Sequence, residues 1–577
     1  MADLLVTLAE HLRPAFEKVA GRAGVDPVVR PSDRADAQAN GALALAKELG
    51  RSPRDVANEV LAACAGLSGV CSSIEGAGPG FLTRGLDDAF RAAALASLST
   101  DARLGVSRAP TPRRVVIDYS APNVAKEMHV GHLRTTVIGD ALVRMFEFVG
   151  HSVIRENHIG DWGTPFGMLI EHLLDLGETE AAEHLSLGDL DGFYKQARAK
   201  FDASDAFKER ARDRVVLLQG GDAETRRLWR LLVVLSTKHF NAVYSRLGVL
   251  LVDDDLMGES AYNELMPDVI DRLDRLGLLQ ESDGADVVYP PGYTNRDGDP
   301  LPLIVQKGKG GFNYATSDLA CVIDRVERLG ADLLLYVVGA PQAQHLSMVF
   351  DVARMAGWLV PPAEAVHVSF GSVLGSDRKM LKSRSGEPLK FIELLEEAVA
   401  RADAAVAEKN PDLAPADRAE VARMIGIGAV KYADLSTDRV RDYVFDWDRM
   451  LSFDGNTAPY LQYAHARICS IFRRAGVDRS SVAGRTPRIE AEQERALALA
   501  LLGFDSAVAD TLERYSPHRL CTYLYDLSTA FSAFYEHCPV LKAEGEVRES
   551  RLVLCDLVAR VLNTGLGLLG IESPEQM

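Results

Sequence analysis

Val115-Val116-Ile117-Asp118-Tyr119-Ser120-Ala121-Pro122-Asn123-Val124-Ala125-Lys126-Glu127-Met128-His129-Val130-Gly131-His132 is the stretch whose reading decides the fold. Its apolar, β-branched start reads as a buried strand, which Pro122 breaks. From Leu133, apolar positions Val137, Ile138, Ala141, Leu142, Met145 and Phe148 recur at helical spacing until Gly150 stops the run. Val153 and Ile154 then open another strand. Strand, helix and strand within about forty residues make a βαβ unit, which requires a right-handed crossover and a parallel sheet. In such sheets ligands bind at the carboxyl edge of the strands, beside helix N-termini whose free N–H groups attract phosphate. Residues 120–132 fall at that edge.

Working outward, the α/β pattern resumes with a strand at 333–338, a helix at 342–356 and a strand at 366–373. An insertion at about 170–310 separates the halves: helical over 191–218 and 223–247, then a hairpin signal, Val287-Val288-Tyr289 and Leu303-Ile304-Val305 flanking Asn295-Arg296-Asp297-Gly298. Residues 1–108 form a small α+β unit with helical patterns at 40–49 and 53–64 and a turn-rich Glu75-Gly76-Ala77-Gly78-Pro79-Gly80, and Arg108-Ala109-Pro110-Thr111-Pro112 links it to the sheet. Beyond about 395 strand signals vanish, and 391–409, 418–432, 459–475 and 490–515 read as helices. The expected architecture is a Rossmann-type parallel-sheet domain with insertion (109–395) between the N-terminal unit and an all-helical domain (396–577, core about 455–577).

A chain of 577 residues exceeds one core, consistent with several domains of roughly 150 residues each. Seven cysteines without a Cys-x-x-Cys pair indicate neither a zinc knuckle nor a disulfide framework and are expected to be buried thiols. The N-terminus lacks a basic segment followed by an apolar one, and no uncharged apolar run approaches the roughly 20 residues of a membrane span, so no membrane association and a cytoplasmic location are expected. A formal net charge of -18 argues against broad nonspecific affinity for nucleic acid but allows a shaped surface with local Arg and Lys clusters.

Two motifs carry chemistry. His129 and His132, three residues apart, share a side of a helical turn, and Gly131 leaves room for a nucleotide to lie against backbone. Alone, such a string serves caps and cores as readily, and no third ligand at convincing spacing supports a metal site. The second motif, Lys379-Met380-Leu381-Lys382-Ser383, lies in a loop after the 366–373 strand. Lysines on a mobile loop neutralise charge growing on a leaving pyrophosphate, although a solvated basic loop would look the same. Asp253-Asp254-Asp255 reads as a solvated charge run rather than a magnesium cluster.

Together the motifs resemble the HIGH and KMSKS signatures of class I aminoacyl-tRNA synthetases. Longer strings resemble the arginyl-tRNA synthetases over essentially the whole chain: residues 120–140, Asn157-His158-Ile159-Gly160-Asp161-Trp162-Gly163-Thr164, Asp446-Trp447-Asp448, Gly455-Asn456-Thr457-Ala458-Pro459-Tyr460 and Leu569-Gly570-Ile571-Glu572. The departures are Leu381, where KMSKS has serine, and the segment Arg34 to Asn40, which lacks the family's aromatic residues. The resemblance implies ATP-dependent activation of L-arginine and its transfer to tRNA(Arg), with Mg2+ arriving on ATP, no structural metal, and a monomer. It implies catalytic roles for His129, His132, Lys126, Lys379 and Lys382, and ATP contacts from His129, Gly131, His132, Met380 and Lys382. Arginine would be held by Ser120, Asn123, Tyr314, Asp318 and Gln342, with Tyr314 and the Asp318 carboxylate on its side chain, since a carboxylate suits a planar cation with several donors. His345 fits a core or an active-site role equally. For tRNA, the N-terminal unit resembles the family's D-loop-reading domain, with Gln38 and Asn40 as its candidates, and Trp162, Tyr460, Tyr463, Arg467 and Met577 are the candidates elsewhere. Gln462, His465, Arg473 and Arg474 add to a helix suited to stacking bases and gripping phosphates. A specialised arginyl-adenylate-forming paralogue and a catalytically silent RNA-binding relative are the rival readings.

Overall fold

The structure, a computed structural model, describes residues 4–30, 36–64, 70–77, 81–178, 190–308, 311–381 and 389–577. It divides into two compact units, one of Ala109–Ala405 with Gly426–Met450, the other of Met1–Arg108 with Val406–Ile425 and Leu451–Met577.

The first unit is built on four parallel strands: β1 (Arg114–Asp118), β2 (Ser152–Glu156), β3 (Leu333–Tyr336) and β4 (Glu364–His367), in the order β4-β3-β1-β2. Four helices concern the site: α1 (Leu133–Phe148), α2 (Ala223–Leu247), α3 (Tyr314–Ile323) and α4 (Ala343–Met355). Val115, Val116 and Ile117 are fully buried, as expected of a strand covered on both faces. Helix α1 crosses β1 so closely that a Cβ on Gly139 would lie 2.4 Å from the Tyr119 side chain. In its first turn, Thr135 Oγ1 accepts the Ser120 N–H (3.0 Å) and donates to the Val337 carbonyl (2.6 Å), joining the ends of β1 and β3.

The carboxyl edge is charged. Asp118 of β1 and Glu156 of β2 are register partners, both buried, and the equally buried Arg325 donates to Asp118 (2.7 Å) and Glu156 (2.6 Å) while lying 4.7 Å from the Tyr336 ring. Arg325 belongs to a π-turn, Asp324–Arg328, that continues α3, so one guanidinium fixes that helix to two strands.

Two expectations are corrected. The 366–373 strand is two pieces: β4 ends at His367, and Val373–Leu374 pairs in parallel with Tyr443–Val444, a strand in the region read as wholly helical. The chain leaves the large sheet because Gly371 runs against 441–442, where a Cβ would lie 2.6 Å from Asp442, and donates to the Arg439 carbonyl (2.9 Å). Buried Arg134 holds that second sheet, pairing with Asp434 (3.2 Å) and donating to the Arg441 carbonyl (2.7 Å). In the insertion, the hairpin strands Ala285–Val288 and Leu303–Lys307 pair antiparallel within a four-stranded sheet. The acidic run 253–255 is a short 3-10 turn whose Asp255 pairs with Arg155 (3.1 Å).

In the second unit, strands Val29–Arg30, Ala37–Ala39, Phe81–Leu86 and Cys71–Ala77 form an antiparallel sheet with helices Leu4–Ala20, Gly41–Leu49 and Pro53–Ala63. The turn-rich 75–80 segment is strand as far as Ala77. The helices Ala458–Ala475, Glu492–Leu502, Phe504–Glu513, His518–His537 and Gly545–Leu568 follow, the predicted 490–515 helix breaking at Gly503. Arg495 pairs with Asp88 (3.1 Å), and Arg560 donates to the Asp101 carbonyl (2.7 Å). The seven cysteines form no disulfide, and all are buried except Cys71, which is half-buried.

Removing Arg325 would leave two carboxylates buried without a counter-ion. Arg325→Leu is expected to lower the unfolding free energy by about 3–5 kcal/mol in urea titration, and a loss under about 1 kcal/mol would contradict the role given to it.

Candidate active site

The segment after β1 turns through left-handed backbone at Ser120 (φ 75°), Ala121 (φ 47°) and Ala125 (φ 59°), conformations non-glycine residues hold only when their surroundings fix them. Asn157 Oδ1 accepts the Ala121 N–H (3.0 Å), and Ser236 of α2 accepts that of Ala125 (2.9 Å). The backbone of Asn123 bridges to Gly160, where a Cβ would lie 2.4 Å from the Asn123 amide oxygen. Asn123 and Lys126 are thereby left exposed, with Lys126 Nζ 4.5 Å from the centre of the Tyr194 ring.

His129 caps the turn that leads into α1, its Nδ1 accepting the Gly131 N–H (3.0 Å), which places its proton on Nε2. The rings of His129 and His132 lie 4.2 Å apart. A Cβ on Gly131 would come within 2.7 Å of the His129 ring, so the glycine makes room for the imidazole itself. Burial, reinforced by His129, pushes His132 down to about 4, and burial also lowers His129. Both are neutral near pH 7, so each ring can donate a hydrogen bond without carrying a charge.

Lys379 and Met380 stand exposed on a small hairpin in which Leu374 bridges Met380 and the Gly375 N–H reaches the Lys379 carbonyl (2.7 Å). Lys382 lies outside the described residues. Where description resumes, the chain pairs with the first motif: Val130 N–H donates to the Leu389 carbonyl and Phe391 N–H to that of Met128 (both 2.9 Å), and Lys390 pairs with buried Glu127 (2.9 Å). Residues 389–391 thus pair with the paired-histidine segment.

The second part of the site is acidic. Asp318, on the exposed side of α3, bonds His345 Nε2 (2.5 Å), and the Tyr314 ring lies 4.8 Å from that imidazole. Glu259 stands nearby, reached from the other side of the 157–162 loop: its N–H donates to the Ile159 carbonyl (3.1 Å), and its carboxylate accepts the Trp162 N–H. Burial pushes the Glu259 carboxyl up, His158 opposes this, and the carboxylates of Asp161 and Asp318 raise it further. Asp161 is committed internally to Ser260 (2.6 and 2.8 Å). Glu259 and Asp318 are thus acidic neighbours, and a cation bound between them would relieve their repulsion. Neither Glu259 nor His345 was among the predicted site residues. Gln342 ends the turn before α4 and is exposed. The Ser120 hydroxyl is spent internally, on Tyr244 (2.7 Å) and Thr136 (3.0 Å), so this serine can meet a ligand only through its backbone.

Trp162 packs edge-on to Trp229 (5.8 Å), whose indole donates to the Asp161 carbonyl (2.7 Å). In the other unit, Tyr463 and Met577 line a cavity of about 450 Å³ with Lys409 and Phe453. The Arg467 guanidinium stacks on Tyr463 (4.7 Å) and Tyr535 (5.3 Å). Tyr460 turns inward to Ser532 (3.2 Å). Gln462 and His465, read as RNA contacts, are instead buried and hold the chain end through the carbonyls of Glu572 (2.7 Å) and Pro574 (3.0 Å). Gln38 bonds Asn40 (2.7 Å) on the N-terminal sheet.

A parallel sheet with paired neutral imidazoles at a helix start and a lysine-bearing hairpin in the same unit marks a class I aminoacyl-tRNA synthetase. The family model "tRNA synthetases class I (R), catalytic domain" matches residues 94–447, the "DALR anticodon binding domain" 461–577, and the "Arginyl tRNA synthetase N terminal domain" 6–83. The chain is 55% identical over 580 residues to the arginine–tRNA ligase of Thermobifida fusca, covering 100% of both, and 49% identical to that of Cellvibrio japonicus, covering 96% of both. Among solved structures, the arginyl-tRNA synthetase of Plasmodium falciparum superposes with a TM-score of 0.86 at 28% identity over 100% of each chain. That of Thermus thermophilus gives 0.82 at 26%, over 99% of this chain and 100% of the other. The chain belongs to the arginyl-tRNA synthetase family.

The depressed His132 carries a sign. Its folded value lies below the ordinary 6.5, so the unfolded chain binds more protons between these values, and stability falls as pH drops from about 6.5 towards 4. At pH 5 the loss from this group is about 2 kcal/mol. His132→Asn is expected to flatten the pH dependence of the unfolding free energy by that amount, and an unchanged slope would contradict a buried neutral imidazole.

Proposed function

We propose that this arginyl-tRNA synthetase, which activates arginine with ATP and transfers it to tRNA, divides its reaction between the two halves of the site. The observation that carries this reading is the acidic pair: the Asp318 carboxylate helps burial and Asp161 to raise that of Glu259, and Asp318 bonds His345 beside the Tyr314 ring. A guanidinium satisfies both carboxylates at once, and bidentate pairing suits its planar donors. The backbone carbonyl of Ser120 and the side chain of Asn123 take the α-amino and carboxylate end, with Gln342 beside them.

Arginine's carboxylate then attacks the α-phosphorus of ATP, and the bond to pyrophosphate breaks. His129 and His132 donate hydrogen bonds to the phosphoryl oxygens as charge develops, with Gly131 and Met380 against the nucleotide, while Lys126, Lys379 and Lys382 neutralise the departing pyrophosphate. The products are arginyl-adenylate and pyrophosphate. A hydroxyl of the tRNA's terminal adenosine displaces AMP, with Trp162 near the acidic pair as its stacking surface. Tyr463, Arg467 and Met577 meet unpaired anticodon bases, Tyr460 supporting them from behind, and residues 1–108, through Gln38 and Asn40, meet the D-loop. Residues 109–395 supply the catalytic domain, with 396–405 and 426–450 packed into the same unit, and the rest of 396–577 supplies the anticodon-binding domain.

Mg2+ enters with ATP's phosphates. Among the described residues, His158, Asp318 and Cys321 can bring ligand atoms within 4.8 Å of one another, but a mixed nitrogen, oxygen and sulfur set does not suit a hard ion. One chain carries every residue in this scheme, so a monomer suffices, and cytoplasm is where its tRNA and ATP are found. No helix among the described residues is long and apolar enough to cross a membrane.

In arginine-dependent ATP–pyrophosphate exchange, Asp318→Ala is expected to lose at least about 1,000-fold in kcat/KM for arginine with ATP binding retained. Near-normal exchange would refute the role of the acidic pair. His132→Ala should lower kcat far more than it raises KM for arginine, and equal changes in both would contradict a role confined to the transition state.

A further inference from the structure

Four buried polar side chains behind the active site form a chain whose hydrogens can be placed one by one. Thr136 Oγ1 lies 2.6 Å from the His132 carbonyl, which only accepts, so the single threonine hydrogen points there. Ser120 Oγ, 3.0 Å from Thr136 Oγ1, must then donate to it. Tyr244 OH, 2.7 Å from Ser120 Oγ, donates in turn, and the Asn157 amide nitrogen donates to Tyr244 OH (3.0 Å). The other end of that amide accepts the Ala121 N–H (3.0 Å). Every hydroxyl hydrogen in the series has one acceptor, and all point from β2's end towards the paired histidines. Hydrogen bonds aligned in this way polarise and strengthen one another in a buried setting.

Tyr244 sits at the centre of this chain but belongs to the insertion. Its helix, α2, touches the same loop again two turns earlier through Ser236, which accepts the Ala125 N–H (2.9 Å). Helix α2 thus contacts Ser120 and Ala125 directly and Ala121 through Asn157, and these are the three left-handed residues of the loop. Burial pushes the Tyr244 phenol up to about 12, so it remains a donor at working pH.

We propose that Tyr244 is a positioning residue for amino-acid binding: through Ser120 and Asn157 it holds the left-handed 120–121 turn in the shape that presents the Ser120 carbonyl and Asn123 to arginine's α-amino and carboxylate end. This rests on the assignment of that end of the substrate made above. Tyr244 touches no substrate, and the insertion thereby sets the geometry of a pocket to which it contributes this brace.

The test is Tyr244→Phe in the full chain, assayed by pyrophosphate exchange. Removing the hydroxyl orphans the Asn157 donor and the Ser120 oxygen, and KM for arginine is expected to rise at least about tenfold with KM for ATP within about threefold. Tyr523→Phe removes a similarly buried phenol that donates to the Ala500 carbonyl (2.9 Å) in the other unit. It should lower thermal stability without moving KM for arginine. An unchanged KM in Tyr244→Phe, or an equal rise in Tyr523→Phe, overturns the proposal. In a Ser120→Ala background, the Tyr244→Phe effect should shrink by more than half, and full additivity overturns it as well. Asn123→Ala separates this claim from the one beneath it. If Asn123→Ala raises KM for arginine and Tyr244→Phe does not, the positioning role fails; if only Tyr244→Phe raises it, the assignment of Asn123 to the substrate fails.

Discussion

One buried guanidinium organises the catalytic unit. Two carboxylates at the same register level of adjacent strands, Asp118 and Glu156, would repel each other in a low-dielectric interior, and Arg325 neutralises both. The strands they end are those that launch residues 120–132 and 157–162, and the helix that Arg325 continues is the one that carries Asp318 and Tyr314. The nucleotide loop, the amino-acid loop and the acidic pair are therefore tied to one charge cluster, although nearly the whole insertion separates them in the chain.

From that cluster the 157–162 loop extends as a partition. On one side Gly160 lies against Asn123; on the other Gly258 lies against Asp161, where a Cβ would come within 2.5 Å of the carboxylate. Two absent side chains thus let the loop pack tightly against both Asn123 and the turn that carries Glu259. The imidazoles of His129 and His132 are kept neutral by burial, which suits the proposed donation to phosphoryl oxygens without a permanent charge there.

Much of this was legible in the sequence, for physical reasons. The run 115–119 is apolar because it is covered on both faces, α1 begins and ends at the residues its periodicity and Gly150 indicate, and the paired histidines sit where free N–H groups must lie. What escaped came from tertiary contact. Glu259, Tyr244 and His345 occupy ordinary-looking positions in a turn and two helices, and only the fold brings them to Asp318 or Ser120. The 366–373 run reads as one strand because each half is buried somewhere, but in different sheets. Gln462 and His465 share a helical face with Tyr463 and Arg467 closely enough that spacing alone could not separate groups facing the core from those facing outward.

The central claim is that paired carboxylates, rather than shape alone, choose the substrate. Citrulline tests it directly, since it keeps arginine's length and planarity while replacing the cationic end with a neutral urea. Pyrophosphate exchange with wild-type protein should proceed with arginine and fall by at least about 1,000-fold in kcat/KM with citrulline. Comparable exchange with both would contradict an acidic pair at Glu259 and Asp318.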